Sequence, residues 1–306
     1  MTAAAPATPT TSATPAGDLD VAELQHAVLT WGELERRDLP WRRTRDPWAV
    51  LVSEVMLQQT QVPRVIPRWY RFLERFPTPL ACASAPLADV LDEWSGLGYN
   101  GRAVRLHRAA AAVVAEHGGR LPTTYAELVR LPGIGPYTAR AVLAFAFERD
   151  AAVVDTNVAR VLARVRGRRL TPKQVQAAAD ELLAAGEPWG WNQAMLDVGA
   201  RLCRPTAADC GPCPLADGCS WQRDGQPRPD PAVGSAGVSG TQSRFDGSDR
   251  QGRGRLVAAL VSGPVRRDDL ASVMGWPADP ERAERVALTV SRDGLAVRDG
   301  EVYRVP

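Results

Sequence analysis

The sequence predicts a mainly α-helical body followed by a small module of helices and one hairpin. Three observations carry that prediction. From about Leu19 to Trp221 apolar residues recur at spacings of three, four and seven, the period of a helix with one buried face. Helix start signals punctuate the same stretch, and no run of period-two alternation interrupts it. The last 56 residues then change character.

Residues 1–18 are rich in Ala, Thr and Pro and are expected to form a disordered tail, because such a segment cannot bury enough apolar surface to offset its ordering entropy. The body is expected over 19–222. Within it, Thr124 and Glu127 form a capping box that opens a helix over 125–130. Val158, Val161, Leu162 and Val165 define one buried face, and Val175, Ala178, Ala179 and Leu182 define another. Thr171 and Gln174 form a second capping box with Pro172 at the first helical position, and Gly186 is expected to close that helix. Residues 223–250 are rich in Gly, Ser, Pro and Asp and read as a linker. In 251–306, helices are expected over 252–260, 267–273 and 280–292. A hairpin over 295–305 follows, with Asp299-Gly300 at its turn. Three helices and a terminal hairpin suggest a winged-helix-like module. The alternative is a small packing or partner-docking domain.

The net charge of +2 from 37 basic and 35 acidic residues provides no overall basic field. Lys173 is the only lysine, so the positive charge is almost all arginine, a side chain suited to phosphate. A GC-rich genome accounts for that bias equally well. His26, His107 and His117 stand apart from every motif, which argues against a histidine-based site. The first twenty residues carry no Lys, no Arg and no apolar core, so no secretory signal is expected. No stretch approaches the ~18 apolar residues of a membrane helix.

Four of the five cysteines, Cys203, Cys210, Cys213 and Cys219, fall within seventeen residues. Without a secretory signal they read as metal ligands rather than disulfides. Zinc favours paired C-x2-C units, and only one is present here. A [4Fe–4S] cube is also held by four thiolates. The spacing favours iron–sulfur and leaves zinc open. Cys82 reads as a core residue.

Residues 131–135 (LPGIG) lie between two predicted helices, the second beginning at Pro136. Gly133 and Gly135 permit a tight turn that exposes backbone amides at a helix N-terminus, which bind phosphate without base preference. This is a helix-hairpin-helix pattern; its bland counterpart is an ordinary interhelical turn. Glu54 lies in the apolar run 49–57 (AVLVSEVML). A buried carboxyl there would keep its proton and could act as a general acid. A Glu at the helix surface, or one paired with a buried arginine, fits equally well. Asp155 precedes a helix start and reads as its N-cap. Amide bonds and the helix dipole would keep it ionised. Two carboxyls with separated pKa values would make an acid and an electrostatic stabiliser.

The chain resembles the adenine DNA glycosylase (MutY) branch of the helix-hairpin-helix glycosylases, alongside endonuclease III. The matching stretches are 39–42 (LPWR), 53–62 (SEVMLQQTQV), 94–99 (WSGLGY), 131–135, 154–158 (VDTNV), 192–199 (NQAMLDVG) and the four cysteines. The resemblance covers about residues 20–222. It implies a two-lobed glycosylase fold: a six-helix module over about 48–155, and a second lobe built from the N-terminal helix and the segment to Trp221. Double-stranded DNA with A:8-oxoguanine or A:G mispairs would lie in the cleft. It implies a monomeric enzyme that is cytoplasmic and nucleoid-associated in a bacterial cell, with a [4Fe–4S] cluster on Cys203, Cys210, Cys213 and Cys219. It implies that Glu54 protonates a flipped adenine, that Asp155 stabilises the sugar cation, and that Tyr137 and Asn157 hold these groups. Gln59, Thr60, Tyr99, Gly133, Gly135 and Arg42 are implied DNA contacts. Tyr137 stands where strand-cleaving relatives carry a Schiff-base lysine, which implies a monofunctional glycosylase.

The sequence departs from that family in three places. The family's second tyrosine after Tyr99 is Asn100 here. The loop over 204–209 offers one Arg and one Asp to phosphate. No Nudix-like domain, which in the family reads 8-oxoguanine, is legible after residue 222. Two alternatives stand beside adenine excision: a glycosylase for another base such as thymine, and a non-catalytic DNA-binding iron–sulfur protein. The Glu54 and Asp155 pair weighs against the second.

Overall fold

The computed structural model describes residues 20–235, 237–238 and 244–306, so the expected tail at 1–18 lies outside the described residues. Helix α1 (Val21–Glu35) starts where the Asp20 carboxylate accepts the Ala22 and Glu23 amides, which satisfies two first-turn donors. The chain then crosses to a first lobe. It comprises α2 (Pro47–Leu57), α3 (Val62–Arg75), α4 (Pro79–Ala83), α5 (Leu87–Glu93), α6 (Gly101–His117), α7 (Tyr125–Leu128) and α8 (Pro136–Phe145). Seven helices stand where the resemblance implied six, because short turns count separately. The chain returns through α9 (Thr156–Val165), α10 (Pro172–Leu182), α11 (Pro188–Asp197) and α12 (Ser220–Arg223), with α1 packed on α11.

The capping box at Thr171 is formed, whereas at Thr124 only the hydroxyl takes part, accepting the Glu127 amide and donating to the Glu127 carboxylate. Helix α7 stops at Leu128, earlier than expected, and α10 ends at Leu182 rather than at Gly186. Gly186 instead takes a positive φ further on, and its amide donates to Asp150. One π-helical turn over Val198–Leu202 follows α11, closed by the Cys203 amide donating to the Val198 carbonyl at 2.8 Å.

The interval 223–250 does not behave as a free linker in its first half. Asp230 is buried and pairs with Arg164 at 2.6 Å, Ala232 joins the second lobe's core, and the Ser235 hydroxyl accepts the Leu170 amide. Composition counts such residues as solvated, but here Asp230 is the carboxylate that pairs the buried Arg164 guanidinium.

The C-terminal segment forms α13 (Asp249–Ser262), α14 (Leu270–Met274) and α15 (Pro280–Arg292). A three-stranded antiparallel sheet in the order β1 (Val265–Arg266), β3 (Val302–Arg304), β2 (Val297–Asp299) accompanies them. The expected hairpin and third helix are present. Strand β1 was not foreseen, because two residues carry no readable period. Leu256, Val290 and Tyr303 join Phe72, Trp94 and Val104 of the first lobe in one apolar cluster, so the module is docked rather than tethered.

Asp197, fully buried at the end of α11, joins that helix to the short turn Pro40–Arg42. It accepts from Arg42 Nη1 and Nη2 at 2.7 and 2.9 Å, and from the Arg37 amide and Nε at 2.9 and 2.7 Å. Burial alone would raise its pKa, but the arginine bonds hold it below the ordinary value. Replacing Asp197 with Ala would leave two guanidinium groups unpaired. Chemical denaturation should register a loss of about 3–5 kcal/mol; a loss below about 1 kcal/mol would show that water takes its place.

Candidate active site

Helix α2 forms because the Asp46 side chain caps the Ala49 amide at 2.7 Å and Pro47 fits the first turn. Every residue from Trp48 to Met56 is buried, and Glu54 is carried inward with them at 6% exposure. The Tyr137 hydroxyl, from the first turn of α8, donates to Glu54 Oε2 at 2.8 Å. Desolvation pushes the Glu54 carboxyl up to about 7; the Tyr137 bond opposes this, and the charge of Asp155 adds to it. The proton is favoured because an ionised carboxylate loses its hydration there.

Asp155 caps α9. Its Oδ1 accepts the Asn157 and Val158 amides at 2.8 and 2.7 Å, and its Oδ2 accepts Asn157 Nδ2 at 2.8 Å. The cap is as expected, but the direction of the pKa is not. Burial raises Asp155 above its ordinary value, against the hydrogen bonds and Arg160. Both carboxyls are therefore displaced upward. What separates them is hydrogen bonding: Glu54 accepts one bond and Asp155 accepts three.

One cavity of about 740 Å³ between the lobes brings nearly all the predicted residues together. Glu54, Tyr137, Asp155 and Asn157 line it, as do Gln59, Thr60, Gly133, Gly135 and Arg42. Tyr99 stands outside the lining. It is 42% exposed, has a φ of +49°, and its hydroxyl accepts from Arg250 Nη1 at 3.3 Å. Arg42 reaches the cavity wall, but both terminal nitrogens are bonded to Asp197. Its geometry is that of a wall support, which counts against the implied DNA contact. Gly133 turns with a φ of +77° under the Arg105 side chain, where a Cβ would approach within 2.6 Å. Gly135 caps α8 with no side chain to cover its first-turn amides.

Arg160 was missed in the sequence. Its Nη2 donates to Asn157 Oδ1 at 2.8 Å and to the Gly199 carbonyl at 2.7 Å, and its Nε donates to the Cys203 carbonyl at 2.6 Å. Arg160 thus links the Asp155 cap to the cysteine loop. The i to i+3 spacing from Asn157 was the available signal, hidden in an otherwise apolar helix. Gly199 lies so close to Asn157 that a Cβ would meet it at 2.7 Å.

The four cysteines line a second, much smaller pocket of about 20 Å³. Among the described residues no three His, Cys, Asp or Glu gather closely enough to hold one metal ion. A tetrahedral zinc site would need sulfurs about 2.3 Å from a common point. Arg164 Nη1 donates to Cys203 Sγ at 3.3 Å. Burial pushes the Cys213 thiol up to about 12 and raises Cys210 and Cys219, with the neighbouring cysteines adding to the effect. Such a set holds its charge only around a cationic centre.

The HhH-GPD superfamily base excision DNA repair protein profile matches residues 52–185. An adenine DNA glycosylase from Mycobacterium tuberculosis is 40% identical over 285 residues, covering 89% of each chain. The human adenine DNA glycosylase is 42% identical over 218 residues, covering 65% of this chain and 40% of the human one. Among solved structures, a thermostable thymine-DNA glycosylase superposes with a TM-score of 0.64 at 30% identity, over 67% of this chain and 97% of its own. An endonuclease III trapped covalently on DNA superposes with a TM-score of 0.58 at 24% identity, over 69% of this chain and 100% of its own, a likeness of fold alone. Fold and relatives define the class, a DNA N-glycosylase of base excision repair. The chain belongs to the HhH-GPD superfamily of base excision DNA repair proteins, in its adenine DNA glycosylase family.

If protonated Glu54 drives the chemistry, the single-turnover rate should fall as pH rises through about 7. Tyr137→Phe removes a bond that favours the carboxylate. The alkaline limb should therefore move to higher pH, by up to about one unit for one hydrogen bond. A limb that stays in place or moves down would exclude Glu54 as the titrating acid.

Proposed function

We propose that this protein hydrolyses the N-glycosidic bond of adenine mispaired with 8-oxoguanine or guanine in double-stranded DNA, leaving an abasic site. The observation that carries the reading is the pair of carboxyls, buried Glu54 and half-buried Asp155, on one cavity between the two lobes. A base inside the duplex cannot reach such a cavity, so the adenine must be extruded from the stack. Protonated Glu54 donates to a ring nitrogen, and the bond to the sugar breaks with its electron pair leaving on the base. Positive charge develops on the sugar, and Asp155, held by Asn157 and the first turn of α9, stabilises it. Water adds to the anomeric carbon and returns its proton to Glu54.

The cysteine pocket supports a [4Fe–4S] cluster on Cys203, Cys210, Cys213 and Cys219. When bound, it would supply a covalent clamp on the loop over 203–219, with no redox step at the sugar. The backbone amides of the Gly133–Gly135 turn and of the first turn of α8 would grip the DNA backbone, with Thr60 as a further DNA contact and Gln59 and Tyr99 entering the duplex where the base has left. The C-terminal helices and sheet support a winged-helix-like module. No described helix is long and apolar enough to cross a membrane. We place the enzyme in the cytoplasm, on the nucleoid, as a monomer.

A duplex with adenine opposite 8-oxoguanine, cleaved with alkali after incubation, tests the reading. Wild type should cut the adenine strand, and Glu54→Gln should lose about 10²-fold or more of that rate while still binding. The similarity to a thymine-DNA glycosylase structure supplies the competing arm: cleavage of a G:T duplex with the adenine strand left whole would reverse the substrate assignment.

No lysine lines the cavity among the described residues, and Lys173 lies on α10. Borohydride added during turnover should trap little or no covalent DNA adduct; an abundant adduct would show that strand cleavage accompanies excision.

A further inference from the structure

Arg102, in the first turn of α6, is only 3% exposed, and its guanidinium bonds no carboxylate among the described residues. Its five N–H groups are shared among seven oxygens instead. Nη1 serves the carbonyls of Val55, Met56 and Gln58, at 2.9, 2.9 and 2.5 Å. These belong to the end of α2, where helix carbonyls lack partners of their own. Nη2 serves Thr60 Oγ1 at 3.0 Å and the carbonyls of Leu97 and Gly98 at 3.2 and 2.8 Å, while Nε reaches the Tyr99 carbonyl at 3.4 Å.

One planar fork therefore joins two loops. Each loop carries a non-glycine residue in the left-handed region, Gln59 at a φ of +55° and Tyr99 at +49°. Such backbone costs of order 1 kcal/mol per residue and persists only where its surroundings hold it. A lysine has three donors at a single point and cannot span both sets of acceptors. Arg102 does not line the cavity that holds Glu54 and Asp155.

We propose that Arg102 is the positioning residue that sets Gln59 and Tyr99 at the spacing from which they open the duplex, so that it acts on base extrusion rather than on bond breaking. The inference rests on the proposed reading that these two side chains enter the helix as adenine leaves. Because Arg102 also caps α2, it ties the wedge to the helix that presents the acid. The loops and the acid then move as one body.

The test uses the full-length protein and a duplex carrying 2-aminopurine, a fluorescent adenine analogue, opposite 8-oxoguanine. Arg102→Lys should cut the fluorescence rise and the single-turnover excision of adenine by about tenfold or more, while the alkaline limb of the rate stays near 7. In a Gln59→Ala/Tyr99→Ala background, the same substitution should add less than about twofold, since residues acting as one unit are not additive. Should Arg102→Lys fail to fold, Thr60→Val removes one acceptor of the fork and should give a smaller loss of the same kind. Normal extrusion, a shifted alkaline limb, or losses that multiply in the double-alanine background would each overturn the assignment. Wild type that neither extrudes nor excises adenine would remove the reading beneath it. Wild type that does both while Arg102→Lys extrudes normally would remove the Arg102 assignment alone.

Discussion

The carboxyl of Glu54 is held away from water, and the rest of the molecule is arranged around that fact. An apolar helix buried on all sides carries it inward, so its proton is retained near neutrality. Only one hydrogen bond, from Tyr137, favours the charged form. Tyr137 is fixed by the hairpin that opens α8, so the element proposed to grip the DNA backbone also sets the protonation of the acid. Asp155 is only half-buried, and it accepts two backbone amides and a side-chain amide. Desolvation raises both carboxyls, and the donors around them differ.

Four buried arginines act as the joints of the fold. Arg42 with Asp197 fastens α11 to the wall of the cavity. Arg164 with Asp230 fastens the segment after α12 to α9. Arg160 connects the Asp155 cap to the first cysteine of the loop, and Arg102 connects two loops through six carbonyls and the Thr60 hydroxyl. Each joint needs a fork of donors aimed in several directions, which guanidinium provides and ammonium does not. The near absence of lysine, readable as genome bias, also suits this construction.

The C-terminal module belongs to the same mechanical unit. Its helices share an apolar cluster with the first lobe, and Arg250 donates to the Tyr99 hydroxyl. The loop that carries Tyr99 is therefore held from two sides, by Arg102 and by the docked module.

The hairpin, the N-cap at Asp155, the third C-terminal helix and the grouping of four cysteines were legible in the sequence, because each is set by residues within a few positions of one another. So was the residue set of the site: Glu54, Tyr137, Asp155, Asn157, Gln59 and Thr60 do line one cavity. The sequence could not decide whether Glu54 was buried, that Arg42 would be taken up by Asp197, or that Asp230, Ala232 and Ser235 would pack instead of linking. Nor could it reveal Arg102 and Arg160, whose acceptors lie up to 47 positions away. Local hydrogen bonds are written in neighbouring residues. Desolvation and long-range pairing depend on which segments close over a group, and only the tertiary structure decides that.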